Sequence, residues 1–111
     1  MKRYISLEFS HEEAELLVTV FSAYLENVDV LQMKLTAIDI DFDEIDFVDD
    51  SLVLLKDAVA LGIDVILHCK ISIKNVLFSL ALLTAHHATE ENDHVNTSCM
   101  IKLLHGSRAG E

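Results

Sequence analysis

Apolar and polar residues alternate in three stretches of this chain and fall at helical spacing between them. Ile5, Leu7 and Phe9 alternate with Tyr4, Ser6 and Glu8, the period-two signature of a half-buried strand. From Lys34 to Phe42, Ile38, Ile40 and Phe42 alternate with Ala37, Asp39 and Asp41, which predicts a second strand. Ile63, Val65, Leu67, Cys69 and Ile71 alternate with Asp64, Ile66, His68, Lys70 and Ser72; β-branched residues are frequent there, as in a central strand. After the first strand, Ala14, Leu17, Val18, Phe21, Leu25 and Val28 share one helical face. Ser10 and Glu13 open that helix as a capping box, each side chain taking the other's backbone N–H. A second helix is expected from Asp50 or Ser51 through Leu52, Leu55 and Val59, with Gly62 in the C′ position. A third begins at Ser72 or Asn75 and buries Val76, Leu77, Leu80 and Leu83. A short last helix over Val95 to Leu104 is closed by Gly106, and Ser107 to Glu111 frays.

This order predicts an α/β fold: one small sheet of about three strands, β-α-β-α-β-α, plus a short C-terminal helix. Alternation of strands and helices implies parallel pairing and right-handed crossovers. A rival pattern runs through the same residues. Leu17, Phe21, Tyr24, Val28, Leu31, Leu35, Ile38, Phe42 and Ile45 are spaced 4-3-4-3, and Leu52 to Leu83 can be threaded 3-4-3-4. Read literally, this is an all-α long helical hairpin turning near Asp49. Gly62 on the seam and the β-branched run favour the α/β reading.

Length and composition narrow the class. At 111 residues the chain is expected to form a single domain, 1–111, and 51% apolar content is enough to build a core without metal or disulfide staples. Pro is absent and Gly occurs three times, so connections should be short. Cys69 and Cys99 are too few for a disulfide framework, which points to reduced thiols in the cytoplasm. Met1-Lys2-Arg3 leads into no apolar leader. The apolar run Val76 to Ala85 is about half of the roughly 20 residues that span a bilayer. The net charge of −11 disfavours direct binding to nucleic acid, where Lys and Arg must neutralise phosphates.

The acids concentrate in Ile38 to Ser51, which holds seven of the nineteen and no base. Asp43, Glu44, Asp46, Asp49, Asp50 and Ser51 are read as a loop that caps the second helix and displays charge to a partner. Asp41 and Asp49 stand eight residues apart, with Ile45, Phe47 and Val48 at apolar positions between them, and Ser51-Leu52 starts the helix. Ala60-Leu61-Gly62-Ile63-Asp64-Val65-Ile66-Leu67 follows as a helix-Gly-strand step. On these motifs residues 38–83 resemble the STAS family, the regulatory modules typified by anti-sigma-factor antagonists. The resemblance implies a non-catalytic regulatory module. Its usual phosphoacceptor position, directly after the second Asp, is Asp50 here, with Ser51 one residue further on. Phosphorylation of Ser51 would add roughly −1.5 to −2 charges at a helix N-terminus; Asp50 could instead hold that place permanently negative.

Other chemistry is thinner. Asp41, Asp43, Asp46 and Asp49 lack the Gly and terminal Glu of a calcium loop. His87, Glu91 and His94 fall at i, i+4 and i+7, a zinc-capable face if the third helix continues that far, but a polar helix end collects the same residues without metal. There is no His-Glu-x-x-His motif and no Gly-rich phosphate loop. The expectation is therefore a non-enzymatic acidic interaction module without a cofactor, binding a basic surface of a protein partner. It would contact neither nucleic acid nor membrane directly, and exposed sheet edges would allow self-association. The alternative is a phage-type acidic inhibitor that imitates nucleic acid to block a nucleic-acid-binding defence protein.

Overall fold

A computed structural model of the chain describes residues 4–34, 42–70 and 74–108, with the side chains of 28–34, 42–44 and 74–75 outside that description. Strand β1 (Tyr4–Phe9) leads into helix α1 (His11–Lys34). Helix α2 (Phe42–Leu61), strand β2 (Val65–Lys70), helix α3 (Lys74–His86) and helix α4 (Asp93–Ser107) follow. The strands pair antiparallel in a two-stranded sheet, in register from Tyr4 opposite Lys70 to Phe9 opposite Val65.

The capping box forms. Ser10 N–H donates to Glu13 Oε1 at 2.9 Å, and Glu13 N–H donates to Ser10 Oγ at 3.2 Å. Ala14, Leu17, Val20 and Phe21 then bury the inner face of α1. Only seven residues separate Lys34 from Phe42, and α2 packs along α1 as so short a connection requires. Gly62 takes the C′ position with φ +66°. Its N–H donates to the Val59 carbonyl at 3.3 Å and that of Ile63 to the Ala58 carbonyl at 3.0 Å, the two bonds of a Schellman ending.

The expected three-stranded α/β sheet does not form: among the described residues there are four helices and one two-stranded antiparallel sheet. The first and third expected strands are present. The stretch expected to hold the second falls on 35–41, outside the described residues, and its last residue, Phe42, opens α2. The consequence for pairing is geometric. One helix between strands returns the chain parallel, whereas two packed helices, α1 and α2, carry it out and back. β2 therefore enters antiparallel to β1. The long helical hairpin fails as well, since Asp49 lies in the middle of α2 and strands occupy 4–9 and 65–70.

The early start of α2 has a plain cause. Val48, Leu52 and Leu55 are buried, with Ile45 and Val59 half-buried around them, and these five positions are spaced 3-4-3-4. Residues 43–51, expected as a loop, thus become part of the helix. Asp43, Glu44 and Asp46 fall near the start of the helix, where the positive end of its dipole favours carboxylates.

Leu7 and Phe9 of β1 join Val65, Leu67 and Cys69 of β2 on the inner face of the sheet. They pack with α1, α2, α3 and α4 into one apolar core. Asn96, Cys99, Leu103 and Gly106 form the buried face of α4. Gly106 was expected to close that helix and instead sits inside it. A Cβ there would come within 2.8 Å of Leu77 Cδ1 and 3.2 Å of Leu7 Cδ2, so glycine is what lets α4 approach β1 and α3. Where α4 crosses α3, the buried Asn96 amide donates to the Thr84 carbonyl, while Thr84 Oγ1 donates to the Leu80 carbonyl at 2.7 Å.

Candidate functional site

The outer face of the sheet and one flank of α2 enclose an open groove of about 320 Å³. Strand parity supplies one wall: Tyr4 on β1 and His68 and Lys70 on β2 point away from the core. Ser6 shares a hydrogen bond with His68 Nδ1 across the ladder at 3.0 Å, which fixes the imidazole against the sheet. The other wall is helical. Asp46, Asp50 and Leu54 recur every four residues and so lie on one side of α2, with Phe47 and Ser51 beneath them. The groove sets two carboxylates against one ammonium, between walls of aromatic and aliphatic carbon. Asp49, Val53, Asp57 and Leu61 are exposed on the same helix beyond the groove.

Of the residues expected to meet a partner, Asp46 and Asp50 line the groove and Asp49 is exposed beside it. The side chains of Asp43 and Glu44 lie outside the described residues, as does Asp41. Ser51 requires correction: it is neither in a loop nor a helix cap but inside α2, with only 4% of its surface accessible. A hydroxyl so placed is closed to a kinase in the folded chain, and Asp49-Asp50 do not stand ahead of a helix. Sequence reasoning missed Tyr4, Ser6, His68, Lys70 and Leu54. Parity marked Tyr4, Ser6, His68 and Lys70 as outward, but only the pairing of strands some 60 residues apart brings them together.

The metal candidates lose their geometry. α3 ends at His86, and α4 begins at Asp93, so His87, Glu91 and His94 do not share a helix face. Thr89 and Asn92 build the intervening turn: Thr89 N–H donates to Asn92 Oδ1 at 2.7 Å and Asn92 N–H to Thr89 Oγ1 at 3.2 Å. Among the described residues no group of three or more His, Cys, Asp or Glu side chains could hold a metal ion. Both cysteines are buried; burial pushes the Cys69 thiol up to about 11. Burial, and then the Glu13 carboxylate, push Cys99 up to about 12. Neither is a thiolate at neutral pH, the form that attacks electrophiles or binds metal. No described helix is long and apolar enough to cross a membrane.

Charge is divided sharply along the chain. Fifteen acidic and five basic residues precede Lys74, a net of −10. Over 74–108, Glu90, Glu91 and Asp93 balance Lys74, Lys102 and Arg108. The groove therefore belongs to the negative part and the α3–α4 hairpin is neutral. Comparison with protein-family models, with curated proteins and with solved structures gives no match for this chain.

Proposed function

We propose that the chain is a non-catalytic interaction module that docks a basic, amphipathic segment of a protein partner in the groove between α2 and the sheet. One observation carries this reading: Asp46 and Asp50 stand beside Leu54, Phe47 and Tyr4 in a single groove. Such a surface suits a segment that alternates Arg or Lys with aliphatic residues. Arginine fits best, since its guanidinium forks onto carboxylates and stacks on aromatic rings. The surrounding excess of negative charge would steer the segment in and make association weaken with salt. The reading keeps the regulatory binding role implied by the STAS resemblance, without a phosphorylated loop. A cytoplasmic setting, where Cys69 and Cys99 stay reduced, completes it.

The test uses a short peptide of alternating Arg and Leu, followed by NMR on the whole chain. Expected shifts centre on Tyr4, Leu54 and His68. The Asp46→Lys/Asp50→Lys double variant should bind at least ~10-fold more weakly, as opposed charges become like charges. Shifts scattered over every acidic surface would sink the proposal. If a peptide with Ser in place of Leu binds as tightly, the apolar walls are idle. The alternative, an acidic protein imitating nucleic acid, would then be favoured.

A further inference from the structure

We infer that His68 sets the charge of the docking groove according to pH: its protonation neutralises the groove and releases a cationic ligand. This deepens the docking reading and rests on it for the ligand, though not for the change of charge. Asp46, Asp50, Lys70 and His68 all line the groove, beside Tyr4. With a neutral imidazole, its charged groups are two carboxylates and one ammonium, a net of −1. With an imidazolium they are two of each sign, and the excess that favours Arg or Lys is gone.

The ring is held in place for both charge states. Ser6 Oγ stands 3.0 Å from His68 Nδ1 across the antiparallel ladder. A hydroxyl can donate to a bare Nδ1 or accept from Nδ1–H, so this bond survives protonation and the charge arrives without moving the ring. His68 is exposed, so solvent can deliver the proton. The titratable and charged groups that share its surroundings are Tyr4 and Glu8 on the outer face of β1, Lys70 on β2, and Asp46 and Asp50 on α2. Glu8, opposite Ile66, stands outside the groove lining. Carboxyl, phenol and ammonium groups ordinarily change charge outside roughly pH 5–8, whereas imidazole changes within it. None of the other histidines, at 11, 86, 87, 94 and 105, lines the groove. Over that window the charge of the groove therefore changes through one residue.

Nitroxide co-solutes test the charge without a peptide. On the full chain at low salt, a cationic and an anionic nitroxide are compared for how strongly each broadens the NMR signals of Tyr4 and Leu54. At about pH 7.5 the cationic one should broaden them more, and at about pH 5.5 that preference should fall toward parity. In His68→Gln, whose amide still reaches a hydroxyl but stays uncharged, most of the preference should persist at the lower pH. His68→Lys should remove it at both. His94→Gln, on α4, should leave the response of the groove unchanged. The Arg-Leu peptide should bind about threefold more weakly at the lower pH, the order that one exposed charge contact carries, and His68→Gln should abolish most of that difference. Circular dichroism of each variant establishes that it folds. A cationic preference that survives at the lower pH in the unaltered chain, or one lost equally in His68→Gln, overturns the inference. A peptide that binds at neither pH while the nitroxides respond as expected sinks the docking reading and leaves the control of groove charge by His68 standing.

Discussion

Glu13 shows how much one side chain does here. It is 6% exposed, and its carboxylate accepts from the Ser10 backbone N–H at 2.9 Å, Ser98 Oγ at 2.7 Å and Lys102 Nζ at 2.7 Å. Lys102 in turn sits 5.5 Å from the centre of the Phe9 ring, so one ion pair ties the start of α1 to α4 and β1. Burial alone would raise the pKa of Glu13. The bonds from Lys102, Ser10 and Ser98 outweigh it and hold the carboxyl below its ordinary 4.5. A carboxyl whose pKa is lower in the folded chain stabilises fully above the unfolded value. That contribution is lost as pH falls through the folded value. Glu13→Gln should therefore flatten the fall in urea midpoint below about pH 4.5. Glu13→Ala at neutral pH should cost about 2–3 kcal/mol, a lost cap plus a lost charge-assisted bond. An unchanged acid profile in Glu13→Gln would show that the ion pair is not what acid breaks. The capping box was legible because its partners are three residues apart. Ser98 and Lys102, more than 80 residues away, left no local trace.

At the scale of elements, the two glycines divide between what a sequence displays and what only packing creates. Gly62 closes α2 at φ +66°, and a Cβ there would meet nothing within 4 Å. Gly62→Ala should cost about 1 kcal/mol, from the left-handed backbone alone. Gly106 is the reverse case. Ala favours a helix interior by about 1 kcal/mol, but its Cβ would press on Leu77 and Leu7. Overpacking of that kind outweighs propensity, so Gly106→Ala should be destabilising by about 1–2 kcal/mol in thermal or urea unfolding. A more stable variant would mean that the Leu tips yield without strain. Gly62 was readable as a helix end because it stands between a helical and an alternating pattern. Gly106 was misread because nothing near it in sequence reveals Leu7, at the other end of the chain. The start of α2 was missed for a related reason: the 3-4 spacing through Phe42 and Ile45 was visible, but the packing against α1 that makes it decisive there was not. For the groove, the acids of α2 were legible, but the wall built by Tyr4, His68 and Lys70 depended on an antiparallel pairing that a parallel sheet would not have given.

For the whole molecule, the uneven charge gives salt two effects of opposite sign. Within β1, α1, α2 and β2, twelve acidic residues stand against three basic ones, so the folded chain carries its own repulsion. Screening relieves it within a Debye length of about 30 Å at 0.01 M and about 10 Å at 0.1 M. Unfolding resistance should thus rise with NaCl over that range. Asp57→Lys, which reverses one exposed charge on α2 outside the groove, should raise the low-salt midpoint and reduce the response. Docking of a basic segment should weaken over the same range. Association through Asp46 and Asp50 loses affinity as salt rises, while the fold that carries them gains stability. Measuring urea midpoint and peptide affinity in one salt series therefore separates the two. If the urea midpoint falls as salt is added, attraction between unlike charges outweighs repulsion in the folded chain, and the division into a negative and a neutral part does not govern its stability.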